Sequence, residues 1–460
     1  MNTHILPGSF RDPSGFIFYQ DGVLYRQVNE VHKNNYDFFM SSGLYQKLLA
    51  DELLISHEEV GVECHQGSRA YKVIKPEPIP FISYPYEWCF SQLKEAALMM
   101  LRIQRIALDS GMSLRDASAF NIQFKGPRPI FIDTLSFEIF EEKNPWIAYR
   151  QFCRHFLAPL ALMGYLDERL GQQFRTNIDG IPLDLTCAML PLRSYFRPSI
   201  LIHIYLHAKS QRRHAESNLN VHSIGCNMDK FKMLALIDSL ESAIKALERK
   251  TKASFWQSYH LRRSYTSRAF EHKKEIVAQF LDEIKPRQVW DLGANTGVFS
   301  RIASRKGIYV VSFDSDHRVT DINFQESEKN TEKNILPLVM DLANPSPGIG
   351  WENAERASLN ERGPADCALA LALVHHLAIG NNIPFDKLAR FFKNICNLLI
   401  VEFIPKRDAQ TQKLLSARRD IFADYHQKGF EKAFGRYFSV IKQIPLRGSA
   451  RTVYLMKRIN

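Results

Sequence analysis

The segment Val289-Trp290-Asp291-Leu292-Gly293-Ala294-Asn295-Thr296-Gly297-Val298-Phe299-Ser300 carries more chemical information than any other in the chain. An apolar, strand-like run ends in an acid, a glycine turn follows, and a helix-like run starts at once. Gly293 lets the backbone turn sharply and approach a ligand, and Gly297 lets the helix start pack close to it. Such a turn places a ligand at the carboxyl end of a strand, at the switch point of a parallel sheet. A dinucleotide loop, Gly-x-Gly-x-x-Gly, offers backbone N–H groups to a pyrophosphate. The spacing here is Asp-x-Gly-x-x-x-Gly, and an acid beside the loop suits a positively charged ligand instead.

Further apolar runs follow. Val310-Val311-Ser312-Phe313-Asp314 ends in an acid, Leu338-Val339-Met340-Asp341-Leu342 contains one, and Leu369–Leu373 leads into Val374-His375-His376-Leu377. Taken singly, Asp314 can equally cap a turn and Asp341 can be an ordinary loop residue. In this order they resemble class I S-adenosylmethionine-dependent methyltransferases, and the glycine segment is similar to motif I of that family. The resemblance covers residues 254–460. It implies S-adenosyl-L-methionine as cofactor, bound by Asp291, Gly293, Asn295 and Gly297, with Asp314 on the ribose hydroxyls and Asp341 near the adenine amino group. Upstream, Trp256 and Tyr259, with Tyr265, are expected to cover the donor, since an aromatic face attracts a sulfonium; core packing is the plainer alternative.

Methyl transfer from an activated donor is largely a matter of positioning. An oxygen or nitrogen acceptor must also lose a proton, which suggests a general base. His375 and His376 follow the fourth strand and titrate in a useful range, so they are the catalytic candidates. The alternative is histidines hydrogen-bonded within the loop. Glu402, closing the fifth strand, is a weaker candidate.

To position these residues, the chain beyond Ser254 alternates helix-like and short apolar segments, which predicts a Rossmann-like, doubly wound α/β domain. The expected strands are Gln288–Leu292, Tyr309–Phe313, Ile335–Met340, Cys367–Ala372 and Leu398–Phe403, with an antiparallel pair over Tyr437–Pro445 and Thr452–Lys457. Residues 191–253 read as a helical connector. Within it, Met228–Lys250 places Phe231, Leu234, Ile237, Leu240 and Ile244 at helical spacing, and Gln211–Asn227 is the expected linker.

Residues 1–190 form an α+β domain. Gly15–Tyr19 and Gly22–Asn29 read as strands about a Gln-Asp-Gly turn. Tyr36–Leu54 and Phe90–Ser110 read as helices, and Arg69–Ile74 and Phe81–Tyr84 as strands. Asp116, Asn121 and Asp133, in Ser113–Phe124 and Pro129–Asp133, resemble the catalytic loop and metal-binding acid of protein-kinase-like folds. That resemblance implies Asn121 and Asp133 as magnesium ligands. The sequence departs from the pattern, with Leu114 in place of a histidine, no glycine-rich phosphate loop, and Arg26 where a strand lysine belongs. The expectation is therefore a degenerate kinase-like domain that aids acceptor recognition. A bifunctional kinase–methyltransferase is the alternative.

Composition sets the outer limits. The 460 residues are 45% hydrophobic and 24% charged, with a net charge of +11 and a pI of about 9.2. Dispersed basic residues leave anionic acceptors open, nucleic acid included, without indicating one. The Asn-Pro-Pro-Tyr type of motif used on amino groups is absent after the fourth strand, so a small-molecule or glycan acceptor is preferred over nucleic acid or protein. A donor-binding scaffold without activity is the remaining class. Seven cysteines without a C-x-x-C pair fit a reduced, cytoplasmic protein. No apolar stretch is long enough to span a bilayer, and no Cys/His cluster has zinc spacing.

Overall fold

The computed structural model describes residues 3–62, 69–142, 144–216, 228–249, 266–416 and 419–459. Two compact units divide the chain, Met1–Thr251 with Ile349–Arg356, and Lys252–Gly348 with Ala357–Asn460. Among the described residues no helix is long and apolar enough to cross a membrane.

The first unit opens with an antiparallel sheet of β1 (Thr3–Ile5), β2 (Gly15–Gln20), β3 (Val23–Asn29), β4 (His57–Val60) and β5 (Ala70–Pro76), in the order β1-β2-β3-β5-β4. Its β2–β3 hairpin turns at Asp21 and Gly22, with φ of 50° and 81°, the left-handed pair that a two-residue hairpin needs. The helix expected over Tyr36–Leu54 is two helices, Lys33–Ser41 and Leu44–Ala50, because Gly43 between them has φ 81°. Phe81–Tyr84 is not a strand. Its backbone is held by side chains, with Ser83 N donating to Gln123 Oε1 (2.8 Å) and Tyr84 N to Glu87 Oε2 (3.0 Å).

The helix Phe90–Asp109 leads into β6 (Met112–Leu114), the hairpin β7 (Ile122–Lys125) and β8 (Arg128–Phe131), and β9 (Phe137–Ile139), which pairs with β6. The helix Lys230–Lys245 lies along Phe90–Asp109, where Arg105 Nη2 meets Asp238 (2.5 Å) and Lys94 Nζ donates to the Leu247 carbonyl (2.8 Å). Its buried face is Met233, Ile237, Leu240 and Ile244. The expected face included Phe231, which is 80% exposed; Met233, one turn before Ile237, fills the groove instead. The helix His207–Glu216 covers the start of the expected linker Gln211–Asn227, and 217–227 lie outside the described residues.

The second unit is a seven-stranded sheet of β10 (Gln288–Leu292), β11 (Tyr309–Asp314), β12 (Ile335–Val339), β13 (Ala365–Ala370), β14 (Cys396–Phe403), β15 (Phe438–Pro445) and β16 (Thr452–Arg458), ordered β12-β11-β10-β13-β14-β16-β15. The strands β10 to β14 pair in parallel, and β16 runs antiparallel to both β14 and β15. The chain winds from β10 to β12 on one side, then crosses to β13 on the other. The switch point therefore lies at the carboxyl ends of β10 and β13, where ligands bind in such sheets.

One face of the sheet packs Val289, Val310, Leu369 and Ile400 against Ile276, Val277 and Phe280 of the helix Ser267–Ile284. On β10, Trp290 is fully buried and meets the Phe313 ring edge-on, with centroids 5.6 Å apart. Replacing Trp290 with Ala should cost the second unit about 3–5 kcal/mol. Urea unfolding followed by circular dichroism checks this, and a loss below about 1 kcal/mol would contradict the packing described.

Candidate active site

The glycine loop is pinned to the strand beside it. Gly293 N and Ala294 N both donate to the Phe313 carbonyl at the end of β11, at 2.8 and 2.9 Å. Gly293, Asn295 and Gly297 have φ of 77°, 51° and 81°. At Gly297 a Cβ would lie 2.3 Å from Asn323 Oδ1 and 2.7 Å from Arg301 Nη1, so only glycine fits. Arg301 Nη1 fixes the turn from below through the Thr296 carbonyl (2.6 Å) and Asn323 Oδ1 (2.9 Å).

Two acids flank this loop. Asp291, buried at the end of β10, accepts from Ser300 Oγ (2.6 Å), which in turn accepts from Ser312 Oγ (2.6 Å). Asp314, at the end of β11, accepts from Asn295 N (2.8 Å) and Asp316 N (2.9 Å). Burial pushes both carboxyls up to about 6, against the hydrogen bonds each accepts. Each acid also feels like charge, Asp291 from Asp314 and Asp314 from Asp316, while Lys273 draws Asp291 down. Both values lie above those of an unfolded chain. The stability these groups contribute is therefore full at low pH and is lost as pH rises through about 6. Asp341 follows β12, is exposed, and accepts from Ala343 N (2.9 Å). The fold thus brings Asp291, Asp314 and Asp341 to the carboxyl edge of three adjacent strands. Trp256, Tyr259 and Tyr265 lie outside the described residues.

The loop after β13 turns at Ala372, a non-glycine residue with φ 52°. Its N–H donates to Glu402 Oε2 (2.9 Å), which also accepts from Lys273 Nζ (2.7 Å). Arg451 Nη1 lies 3.7 Å from Glu402 Oε1, and Arg451 Nε donates to Asp408 Oδ2 (2.7 Å). Lys273, Glu402 and Arg451 are all buried. Glu402 therefore holds the loop and is sealed from any acceptor, which removes it as a general base. Sequence reasoning did not pick out Lys273 or Arg451. The available signal was a lysine on the apolar stripe Ala269, Ile276, Val277 and Phe280.

His375 is fully buried, and neither ring nitrogen has a hydrogen-bond partner. Burial, with His376, Arg451 and Lys273 nearby, holds it well below the usual histidine range. His376 is only partly buried, its ring centroid 4.1 Å from that of His375, and burial pushes it down to about 4. Both rings are neutral near pH 7, and His376 is the one with access to solvent.

In the first unit, Asp116, Asn121 and Asp133 also come together. Asp116 accepts from Ser118 N (2.9 Å) and is raised by burial and by Asp133. Asn121 reaches both Asp116 and Ser136 Oγ. Asp133 is already engaged, by Arg26 Nη1 (2.5 Å), Leu135 N (3.0 Å) and Ser136 Oγ (2.6 Å). Burial alone would raise Asp133, but Arg26 and these hydrogen bonds hold it below the ordinary carboxylate range. A guanidinium thus already occupies the carboxylate that the kinase resemblance implies for magnesium, and the residues as arranged do not fit the metal. Among the described residues no group of three His, Cys, Asp or Glu side chains is arranged to hold one.

These features define a protein with a Rossmann-like, doubly wound unit whose glycine loop sits between two acids at the switch point. The nodulation protein NoeA of Rhizobium meliloti (strain 1021) is 36% identical over 459 residues, spanning 98% of this chain and 95% of that one. The chain belongs to the NoeA family. No protein-family model matches it. Among solved structures, magnesium protoporphyrin IX methyltransferase (ChlM) from Synechocystis PCC 6803 is 16% identical, covering 46% of this chain and 90% of that one, with a TM-score of 0.32. The bifunctional kinase-methyltransferase WbdD is 15% identical, covering 44% and 41%, with a TM-score of 0.30.

The buried cluster yields a test of its own. Glu402→Gln leaves Lys273 buried without a counter-charge and should cost about 3–5 kcal/mol. The double variant Lys273→Met/Glu402→Gln should recover part of that loss. Equal denaturation midpoints for wild type and Glu402→Gln would contradict the role given to the pair.

Proposed function

We propose that the second unit transfers a methyl group from S-adenosyl-L-methionine to a small-molecule or glycan acceptor. The observation that carries this reading is the left-handed glycine loop set between Asp291 and Asp314 at the carboxyl ends of β10 and β11, two acids that burial also pushes up to about 6. Buried carboxyls of this kind are stabilised in their charged form by a nearby cation and by donated hydrogen bonds. The donor brings a sulfonium and two ribose hydroxyls, which suits them. When bound, it supplies a methyl group that is already activated.

Asp291, Gly293, Asn295 and Gly297 form the donor cradle in this reading. Asp314 takes the ribose hydroxyls, and Asp341 faces the adenine. Trp256 and Tyr259 cover the bound donor. His376 accepts the acceptor's proton, and His375 beneath it sets the ring's orientation. A neutral His376 is free to receive a proton; burial makes it a weaker base than an exposed histidine, so its part is to orient the acceptor hydroxyl and take the proton as the methyl group transfers. In place of the amide–proline pair of amino-group enzymes, β13 is followed by Leu373-Val374-His375-His376, which favours a hydroxyl acceptor.

The first unit is read as the part that recognises the acceptor. Arg26 on Asp133 speaks against phosphoryl transfer there (2.5 Å). No detectable magnesium–ATP binding by the full chain is expected in calorimetry. Binding that is lost in Asp133→Ala would turn the reading toward a bifunctional enzyme.

The acid pair gives a pH dependence. Ionised carboxylates favour the cationic donor, so its affinity should rise with pH up to about 6 and level off above. Below that point the slope should approach about tenfold per pH unit for each proton displaced. The product S-adenosylhomocysteine, which lacks the sulfonium charge, should show a shallower slope. An affinity independent of pH between 5 and 7, on the order of the range just given, would count against the acids as donor ligands. For the base, His376→Ala should lower the kcat for labelled methyl transfer roughly 10²-fold or more with little change in donor affinity. Unchanged kcat would remove it from the chemistry.

A further inference from the structure

The first unit presents an apolar face that is exposed among the described residues. In the turn Leu192–Phe196, Leu192 is 81% exposed and Phe196 is 87% exposed. The turn is tied to the helical segment that follows it. Ser194 Oγ and Tyr205 OH are 2.8 Å apart, and the Tyr195 and Tyr205 rings stack with centroids at 3.7 Å. On that segment Ile202 and Leu206, one turn apart, are 49% and 51% exposed, while His203, Ile204 and Tyr205 between them are buried. Isolated surface leucines need no explanation, but neighbouring ones with a polar rim mark a surface that meets something.

The rim is basic. Arg193 and Arg197 alternate with Leu192 and Phe196 in the turn, and exposed Lys209 and Arg212 extend the outer side of the helix. Asp184 is the exposed acid on the adjacent helix Leu183–Met189. Among the described side chains of these elements, four cations stand against one acid, on a chain of net charge +11, which complements a negative surface. Phenylalanine and leucine side chains interleaved with arginines suit the boundary between lipid headgroups and acyl chains, where the guanidiniums stay with the phosphates. Each basic residue near an anionic leaflet strengthens binding roughly fivefold.

We propose that this face docks the protein reversibly on an anionic phospholipid surface, with Leu192 and Phe196 entering the headgroup layer and Arg193, Arg197, Lys209 and Arg212 pairing with phosphates. The proposal does not depend on the methyltransferase reading.

Sedimentation of the full chain with vesicles of phosphatidylcholine, with and without phosphatidylglycerol, tests it. Binding to the anionic vesicles, weakened by salt, is expected. Leu192→Ser/Phe196→Ser should weaken it about tenfold or more, and Arg193→Gln/Arg197→Gln should reduce the preference for phosphatidylglycerol. The substituted side chains are exposed, so melting temperatures should not move. No binding to anionic vesicles, or equal binding by the Leu192→Ser/Phe196→Ser variant, would overturn the proposal. So would a wild-type dimer in light scattering that this variant disperses without any vesicle binding, which would assign the face to a second copy of the chain.

Discussion

The second unit is organised around one buried carboxylate. Glu402 closes β14 and receives Lys273 from the helix Ser267–Ile284, the Ala372 amide from the loop after β13, and the approach of Arg451 (2.7, 2.9 and 3.7 Å). Charges taken out of water are costly, and a buried pair is tolerable only when further hydrogen bonds satisfy it. Here the same contacts set a left-handed Ala372 and hence the path of the loop that carries His375 and His376. The network joins the outer helix, the fifth strand and the antiparallel β16 to the edge where a ligand would sit. It also places Lys273 close enough to Asp291 to draw that carboxyl downward.

The two units treat their buried acids in opposite ways. In the second, Asp291 and Asp314 have hydrogen-bond donors but, among the described residues, no cation in direct contact, and burial keeps them reluctant to ionise. In the first, Asp133 has Arg26 against it and is held ionised. An acid with raised proton affinity is poised for an incoming positive charge, whereas an acid already paired with a guanidinium is spent. On the proposed function, this difference fits donor binding in the second unit and speaks against metal-dependent transfer in the first.

Much of this was legible in the sequence where local pattern and fold agree. Every expected strand from Gln288–Leu292 onward exists, with ends shifted by at most two residues, because short buried parallel strands read as apolar runs bounded by turns. The glycine loop was legible because positive φ and close approach select residue types directly. Helix Tyr36–Leu54 was misread because Ser42-Gly43 breaks a pattern whose periodicity continues across the break. Phe81–Tyr84 was misread because its backbone is satisfied by Gln123, distant in sequence, and not by a neighbouring strand. Phe231 was misplaced because helical spacing admits more than one apolar stripe. Glu402 looked like a base from its position alone; only its partners, Lys273 and Arg451, reveal it as a strut, and both lie far from it in sequence.

The most direct measurement is calorimetric titration of the purified full chain with S-adenosyl-L-methionine, beside the Asp291→Ala variant. The account predicts one site in the wild type and a loss of affinity of about tenfold or more in the variant. A folded wild type that does not bind, or a variant that binds equally well, would contradict the assignment of the glycine loop and its acids to the methyl donor.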